Sequence, residues 1–209
     1  MPYFRQVVSS ASQDRLEKLI EERLKNGADK KSIDARIWDL FGENWAVMFT
    51  DLSGFSRRVA EFGIIHFLQI IYESQKLLVP CIDKHDGILL KMEGDSMLII
   101  FRKSIKALEC AIEMQRILKQ YNESKDAAEA ILLCVGIGRG NMIRIGDSDV
   151  FGAQVNAASK LGEDTAKAKE ILVTDAVVED AKENSLYQFE QIAEIPPGAN
   201  AAYKLIYNL

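Results

Sequence analysis

Two aspartates lie where apolar runs give way to glycine-containing turns. Asp51 follows the run 45–50 and precedes Gly54, and Asp95 follows Gly94 between two further apolar runs. An aspartate in such a place is most often a turn residue or a helix cap. Its carboxylate can also bind a hard cation such as Mg²⁺ or Mn²⁺, and the glycines would let a phosphate approach the backbone closely. The flanking glycines therefore strengthen the hypothesis of a metal and phosphate site over the turn or cap interpretation.

The elements that must position these acids follow from the spacing of apolar residues. Helical periodicity with stop signals predicts an N-terminal helical extension over residues 1–42, with helices at 14–25 and 31–40. The remainder, 43–209, reads as one α+β domain with a mixed sheet. Its predicted strands are 45–50, 88–91, 97–101, 131–137, 171–174, 187–192 and 202–207, with a hairpin at 138–146. Its predicted helices are 56–79, ended by Pro80, then 104–121, one after residue 151, and 175–182.

Composition excludes several classes of protein. The chain has 209 residues, 48% of them hydrophobic, and a formal net charge of -5, which argues against a general nucleic-acid binder. Cys81, Cys110 and Cys134 are widely spaced among apolar neighbours, which indicates reduced packing thiols. No apolar stretch approaches the ~20 residues that span a bilayer, and the start lacks the apolar core of a signal peptide. We expect a cytoplasmic protein without membrane or nucleic-acid partners.

Three segments carry a family resemblance. FTDLSGFS (49–56), KMEGDSMLIIF (91–101) and DVFGAQVNAASK (149–160) occur in the order, and near the spacing, of the motifs of class III adenylate and guanylate cyclases. The chain resembles that family over about 45–207. The resemblance implies a ferredoxin-like βαββαβ core with additions. It also implies two Mg²⁺ or Mn²⁺ ions per site, held by Asp51, Asp95 and the backbone carbonyl of Leu52.

The resemblance implies two-metal chemistry on a nucleoside triphosphate. One ion lowers the pKa of the ribose 3′-hydroxyl, and both stabilise charge as that oxygen attacks the α-phosphate and pyrophosphate leaves. Because such ions lie about 4 Å apart, Asp51 and Asp95 must converge in the fold. Gly54 and Gly94 would border the phosphates, and we count Phe55, next to Gly54, among the substrate contacts.

Base and ribose recognition also follow from the resemblance. Lys91 matches the lysine that reads adenine in adenylate cyclases, and Asp149 matches its acidic partner. A lysine donor and a carboxylate acceptor suit adenine, whereas guanine needs the opposite pattern. Without the resemblance, Lys91 would read as a surface residue and Asp149 as a helix cap. Asn156 matches the residue that orients the ribose, and Lys160 lies where the family has an arginine for the α-phosphate.

Three positions that normally bring positive charge to the triphosphate in this family differ here. Lys160 keeps the charge but lacks the bidentate fork of arginine. Cys134 replaces a strand arginine, and Pro197 falls where a lysine commonly precedes a glycine. We expect Arg139 or Arg144 to supply the missing charge.

The expected function is a homodimeric adenylate cyclase that converts ATP to 3′,5′-cyclic AMP and pyrophosphate. Both halves of the site are present in one chain, so a symmetric dimer would form two sites at its interface. Two alternatives remain open. One is a weak or inactive nucleotide-binding signalling module, and the other is a cyclase acting on GTP or a pyrimidine triphosphate. The N-terminal helices would either pack on the core or serve regulation or dimerisation.

Overall fold

The computed structural model describes residues 11–54, 60–182 and 186–208, and Phe55 lies outside them. The strands are β1 (Gly42–Leu52), β2 (Ile88–Glu93), β3 (Ser96–Phe101), β4 (Leu133–Ile145), β5 (Asp149–Phe151), β6 (Ile171–Thr174), β7 (Gln188–Ile192) and β8 (Ala202–Ile206). The helices are α1 (Ala11–Leu24), α2 (Lys30–Phe41), α3 (Ile64–Lys84), α4 (Ser104–Asn122), α5 (Ala153–Ser159) and α6 (Asp175–Ala181). A π-helical turn, Lys160–Thr165, continues α5.

One mixed sheet organises the chain. Its strand order is β2-β3-β1-β4-β6-β8-β7, with β5 paired to β4. The β4–β6 pair is parallel and the other pairs are antiparallel. The succession β1-α3-β2-β3-α4-β4 with spatial order β4-β1-β3-β2 is the ferredoxin-like arrangement. The predicted α+β fold with a ferredoxin-like mixed sheet is confirmed.

The two faces of the sheet are covered differently. On one face, α3, α4 and α6 bury the main core, in which Met48 of β1 packs with Ile70, Leu108 and Val177. On the other face, α5 and β5 form a smaller cluster over β1 and β4 that includes Val47 and Val155. We call this second face the cleft face. Alternation along a strand sends successive residues to opposite faces, so Phe49 and Asp51 share the cleft face with Val47.

Pro80 does not end helix α3, contrary to the sequence prediction. The helix runs to Lys84 with Pro80 inside it, because Leu78, Cys81 and Ile82 continue its buried stripe across the proline. That burial outweighs the one hydrogen bond that a proline removes so near the helix end. The predicted start at residue 56 lies outside the described residues, and the helical residues 60–62 are separated from α3 by Gly63, whose φ is 85°.

The predicted hairpin at 138–146 is also wrong. Strand β4 is continuous to Ile145, and the turn comes after it, at Gly146 with φ 55°. The glycines at 136 and 138 instead permit close approach of α5 to the strand. A Cβ on Gly136 would lie 2.1 Å from the Ala158 carbonyl oxygen, and one on Gly138 would lie 2.4 Å from that of Gln154. Glycines within a strand serve this purpose as readily as a turn.

The N-terminal helices pack on each other and on the far end of β4. Their buried residues Leu19, Ile33 and Ile37 form one cluster with Ile145, and Asp29 caps α2 by accepting from the Ser32 backbone N–H at 3.1 Å. The domain boundary at 42/43 stays a prediction. Among the residues that the structure describes, no helix has the length and apolar character needed to cross a bilayer.

Candidate active site

The two predicted acids converge because their strands are antiparallel neighbours. Thr50 of β1 pairs with Met97 of β3, so the end of β1 meets the turn between β2 and β3. Ser96 donates its hydroxyl to Asp51 Oδ1 at 3.1 Å. The Leu52 backbone lies near both carboxylates and acts to lower the pKa of Asp51 and of Asp95. The strand pairing therefore brings Asp51, Leu52 and Asp95 together, as the resemblance required.

Both carboxylates are half-buried, and this changes their protonation. Burial, followed by the charge of Asp95, raises the pKa of Asp51 to about 6. Burial also raises the pKa of Asp95, against the hydrogen bonds that favour its charged form. Two ionised carboxylates in a partly desolvated site repel each other, and a cation between them would remove that repulsion. The donor set thus fits a hard divalent ion.

The number of protein ligands sets what kind of ion site this can be. In the described part of the chain no cluster of three or more histidine, cysteine or acidic side chains forms a metal cage. Mg²⁺ is commonly bound by one or two carboxylates together with substrate phosphates and water. Asp51, Asp95 and the Leu52 backbone match that pattern. Gly54, in the turn after β1 (φ 85°), and Gly94 (φ 61°) leave the backbone beside the acids without side chains.

The predicted base-recognition pair is assembled from two distant segments. Lys91 of β2 contacts Asp149 of β5 through an Nζ to Oδ2 ion pair. Asp149 begins a strand and does not cap α5, whose N-cap residue is Gly152. The two residues line a cavity of about 150 Å³ on the cleft face, together with Phe49, Ser96, Leu98 and Glu163. A cavity with polar and apolar walls therefore lies on the cleft face, and Ser96, the hydrogen-bond partner of Asp51, forms part of its wall.

Helix α5 and the turn after it present the other predicted residues. Asn156 and Lys160 are exposed, and Lys160 Nζ donates to Asp164 Oδ2 at 2.8 Å. This hydrogen bond to Asp164 raises the pKa of Lys160. The pair is solvent-exposed, so it holds the lysine only weakly. A triphosphate could recruit Lys160 at little cost.

The structure does not bring Arg139 to the acids of its own chain. Arg139 pairs with Ala46, five residues along β1 from Asp51, which is roughly 16 Å at the rise of a strand. Its Nη1 donates to the Arg102 carbonyl at 2.7 Å. Arg144 lies still farther along β4 and donates to Asp147 at 2.7 Å. Both arginines were expected beside the phosphates, and the pairing of β4 with β1 places them farther along the sheet.

Two further residues at the site were missed. Ser96 fixes Asp51 by its hydrogen bond, and its position directly after Asp95 was the available signal. Glu163 lines the cavity and helps to raise the pKa of Asp51, but only the π-helical turn brings it there.

Cys134 pairs with Asp51 in the sheet, and burial raises its pKa to about 11. It is a neutral packing thiol, with no charge to offer a phosphate.

Comparison with known proteins gives one family match. A family model described as the adenylate and guanylate cyclase catalytic domain matches residues 42–203. The chain is 29% identical over 135 residues to the serine/threonine-protein kinase pkn2 of Myxococcus xanthus, which is 65% of this chain and 16% of that protein. It is 29% identical over 134 residues to putative adenylate cyclase 3 of Rhizobium meliloti (strain 1021), 64% of this chain and 22% of that protein. It spans less than a quarter of either relative.

Solved structures share the fold. An adenylate/guanylate cyclase/hydrolase from Silicibacter pomeroyi superposes with a TM-score of 0.69 at 24% identity, covering 80% of this chain and 98% of that one. The adenylyl cyclase CyaB from P. aeruginosa gives 0.66 at 20% identity, covering 80% and 96%. The guanylyl cyclase Cya2 gives 0.64 at 18% identity, covering 78% and 92%. The same fold thus serves both bases.

Proposed function

Because the chain belongs to the family of adenylate and guanylate cyclase catalytic domains, we propose that this cyclase domain acts on ATP, forming 3′,5′-cyclic AMP and pyrophosphate. The observation that supports the choice of base is the contact between Lys91 and Asp149 at the cavity. Adenine accepts at N1 and donates from its 6-amino group, so it can replace the ion pair with one hydrogen bond to each residue. Guanine would set its O6 acceptor against the carboxylate.

The acid pair supplies the second half of the proposal. Bound Mg²⁺ or Mn²⁺ would make the ribose 3′-hydroxyl more acidic and offset the charge of the departing pyrophosphate. Asp51 and Asp95 would hold the ions, and Ser96 would keep the Asp51 carboxylate oriented. Asn156 would orient the ribose, and Lys160, released from Asp164, would meet the α-phosphate. Leu52, Gly54, Phe55 and Gly94 would border the phosphates.

The arrangement favours a homodimer with each site shared between subunits. Asn156 on α5 and Lys160 in the turn after it are exposed. Phe151, on the same side of β5 as Asp149, is 54% exposed. A second copy covering this face would bury Phe151 and bring one subunit's acids to the other's Lys91 and Asp149. A symmetric dimer would then contain two equivalent sites.

Complementation tests the shared site. As homodimers, Asp51→Asn subunits should be inactive, and Lys91→Met subunits should use ATP about tenfold less efficiently at low ATP concentration. Mixed in equal amounts and allowed to exchange, they should recover about a quarter of wild-type activity, because half of the dimers are mixed and each has one intact site of two. No recovery, with exchange verified by two differently tagged subunits, would place each site within one chain.

A product assay tests the reaction itself. Purified protein is incubated with each of the four nucleoside triphosphates and Mg²⁺ or Mn²⁺, and products are identified by mass spectrometry. We expect 3′,5′-cyclic AMP from ATP as the main product. A preference for GTP or a pyrimidine triphosphate would overturn the choice of base and keep the cyclase chemistry.

One specific observation supports a second candidate, a nucleotide-binding module with weak or no turnover. The positions that lack the family's positive charges are now seen as a buried neutral Cys134 and an exposed Pro197. Arg139 and Arg144 do not replace those charges within the chain. Nucleotide binding without cyclic product from any triphosphate would favour this candidate.

A further inference from the structure

Strand β2, which carries Lys91, contains an irregularity of one residue. Leu89 pairs with Ile99 of β3, and the next pair is Lys91 with Leu98. Leu90 therefore has no pairing partner in β3, and β2 has one residue more than β3 between these two pairs. This is the geometry of a β-bulge, which bends the strand, increases its local twist and re-aims the side chains next to it.

With Leu90 present, the bulge keeps Lys91 on the cleft face. Leu89 packs in the main core beneath the helices, and Leu90 packs with the cleft-face cluster. In a regular strand the next residue would return to the helix face. Lys91 instead lies opposite Leu98, a member of the cleft-face cluster, and lines the cavity there.

The rest of the strand confirms the change of face. Glu93 pairs with Ser96, and both line the same cavity as Lys91. Met92, between them, pairs with Met97, which belongs to the main core on the helix face. The alternation is thus regular on either side of Leu90 and is interrupted only there.

We propose that the bulge at Leu90 is a positioning device for base selectivity, aiming the Lys91 ammonium across the cavity at Asp149. This inference rests on the proposed reading of the base by Lys91 and Asp149, and it adds a residue that touches neither base nor metal. A donor contributes to selectivity only when it is held in line with its acceptor. The extra twist at Leu90 provides that alignment from within the strand.

Deletion of Leu90 tests the proposal without moving the later residues of β2 to the opposite face of the sheet. After the deletion, Lys91 still lies opposite Leu98 and Glu93 opposite Ser96, so every later residue keeps its partner and its face. The strand should form, and Asp95 should keep its place at the turn. What is lost is the added twist. We expect ATP-over-GTP selectivity in binding to fall about tenfold, which is the worth of one well-aligned hydrogen bond to a charged group.

The loss should appear mainly in the Kd and KM for ATP, with a smaller change in kcat. Leu90→Ala is the matched control, because it keeps the extra backbone residue and removes only the side chain. It should retain the selectivity even if the melting temperature falls. Mn²⁺-induced thermal stabilisation should persist in both variants, which shows that the fold and the acids are intact.

Lys91→Met separates failure of this inference from failure of the proposed function. If Lys91→Met abolishes selectivity and the Leu90 deletion leaves it intact, the bulge has no positioning role and the inference alone is overturned. If Lys91→Met leaves selectivity unchanged, Lys91 does not read the base. Both the inference about the bulge and the proposed base recognition by Lys91 are then overturned. Loss of selectivity in Leu90→Ala equal to that in the deletion would assign the effect to side-chain packing and also overturn the inference.

Discussion

The two ends of the candidate site are built on opposite electrostatic principles. At the acid end, Asp51 and Asp95 are like charges brought together by strand pairing, and burial raises the pKa of both. At the base end, Lys91 and Asp149 are opposite charges that satisfy each other across the cavity. The acid end is therefore destabilised until a cation arrives, whereas the base end must exchange one satisfied contact for another. Affinity should come from the first end and selectivity from the second.

The largest expected effect lies at the acid end. Asp51→Asn should lower kcat by about a thousandfold, since a neutral amide cannot hold a catalytic divalent ion. In EDTA at neutral pH the same change should raise the free energy of unfolding by about 1 kcal/mol, after the partial exposure of the carboxylate is allowed for. Enzyme assays and chemical denaturation measure the two effects. Asp39→Asn, an exposed acid on α2, is the control, and an equal response in both variants would contradict the account.

At the base end, Lys91→Met and Asp149→Asn should each reduce ATP-over-GTP selectivity by about tenfold or more, because each removes one charge-assisted hydrogen bond to the base. Since the residues contact each other, their effects should not add, and the double variant should lose little more than either single one. Competitive binding of ATP and GTP, measured for the wild type, each single variant and the double variant, completes the double-mutant cycle. Additive losses would show that the two residues act independently.

The pH dependence of metal binding sharpens the comparison further. The folded-state pKa of Asp51 is about 6, above its ordinary value of 3.8. Without a cation, the stability contributed by its protonated form is present at low pH and falls as pH rises from about 4 to 6. Stabilisation by Mn²⁺ should follow the reverse course, about 1 to 2 kcal/mol at pH 7.5 and little at pH 5. Thermal melts with and without Mn²⁺ test this. A pH-independent Mn²⁺ effect would mean that the acids do not bind the ion.

The smallest expected effect concerns the phosphate between the two ends. Lys160→Arg should raise kcat about threefold, because a guanidinium can bind two phosphate oxygens at once. The base selectivity should stay the same. Steady-state kinetics with ATP and GTP measure both quantities. A fall in kcat would indicate that the site is fitted to lysine and that the departure from the family pattern is adapted to this chain.

Much of the fold follows from local pattern. Helix α4 and the β2–β3 turn were predicted nearly to the residue, because a long amphipathic stripe and an apolar run broken by glycine leave few alternatives. Pro80 and the glycines of β4 misled the prediction for one reason. Each of these residues disfavours a regular helix or strand locally, but the outcome depends on what packs against it. Burial of α3 keeps the helix intact across Pro80, and the close approach of α5 keeps the glycines within a continuous strand.

For the site, the identities of Asp51, Asp95, Lys91 and Asp149 were available from motifs alone, since their types and spacing carry the chemistry. Glu163 was not, because it joins the site through proximity that only the folded chain creates. Ser96 was within the Asp95 motif, but its hydrogen bond to Asp51 depends on the pairing of β1 with β3. The same holds for Arg139, whose type suited a phosphate but whose strand carries it to the other end of the sheet.

The sequence by itself determined the family, the fold class and the chemical types at the site, because these depend on residue identity and short-range spacing. The tertiary structure decided where each charge lies. The register of β2 against β3 places Lys91 on the cleft face, and the register of β4 against β1 places Arg139 away from the acids. Both are questions of register, and register depends on partners distant in sequence that no local pattern specifies.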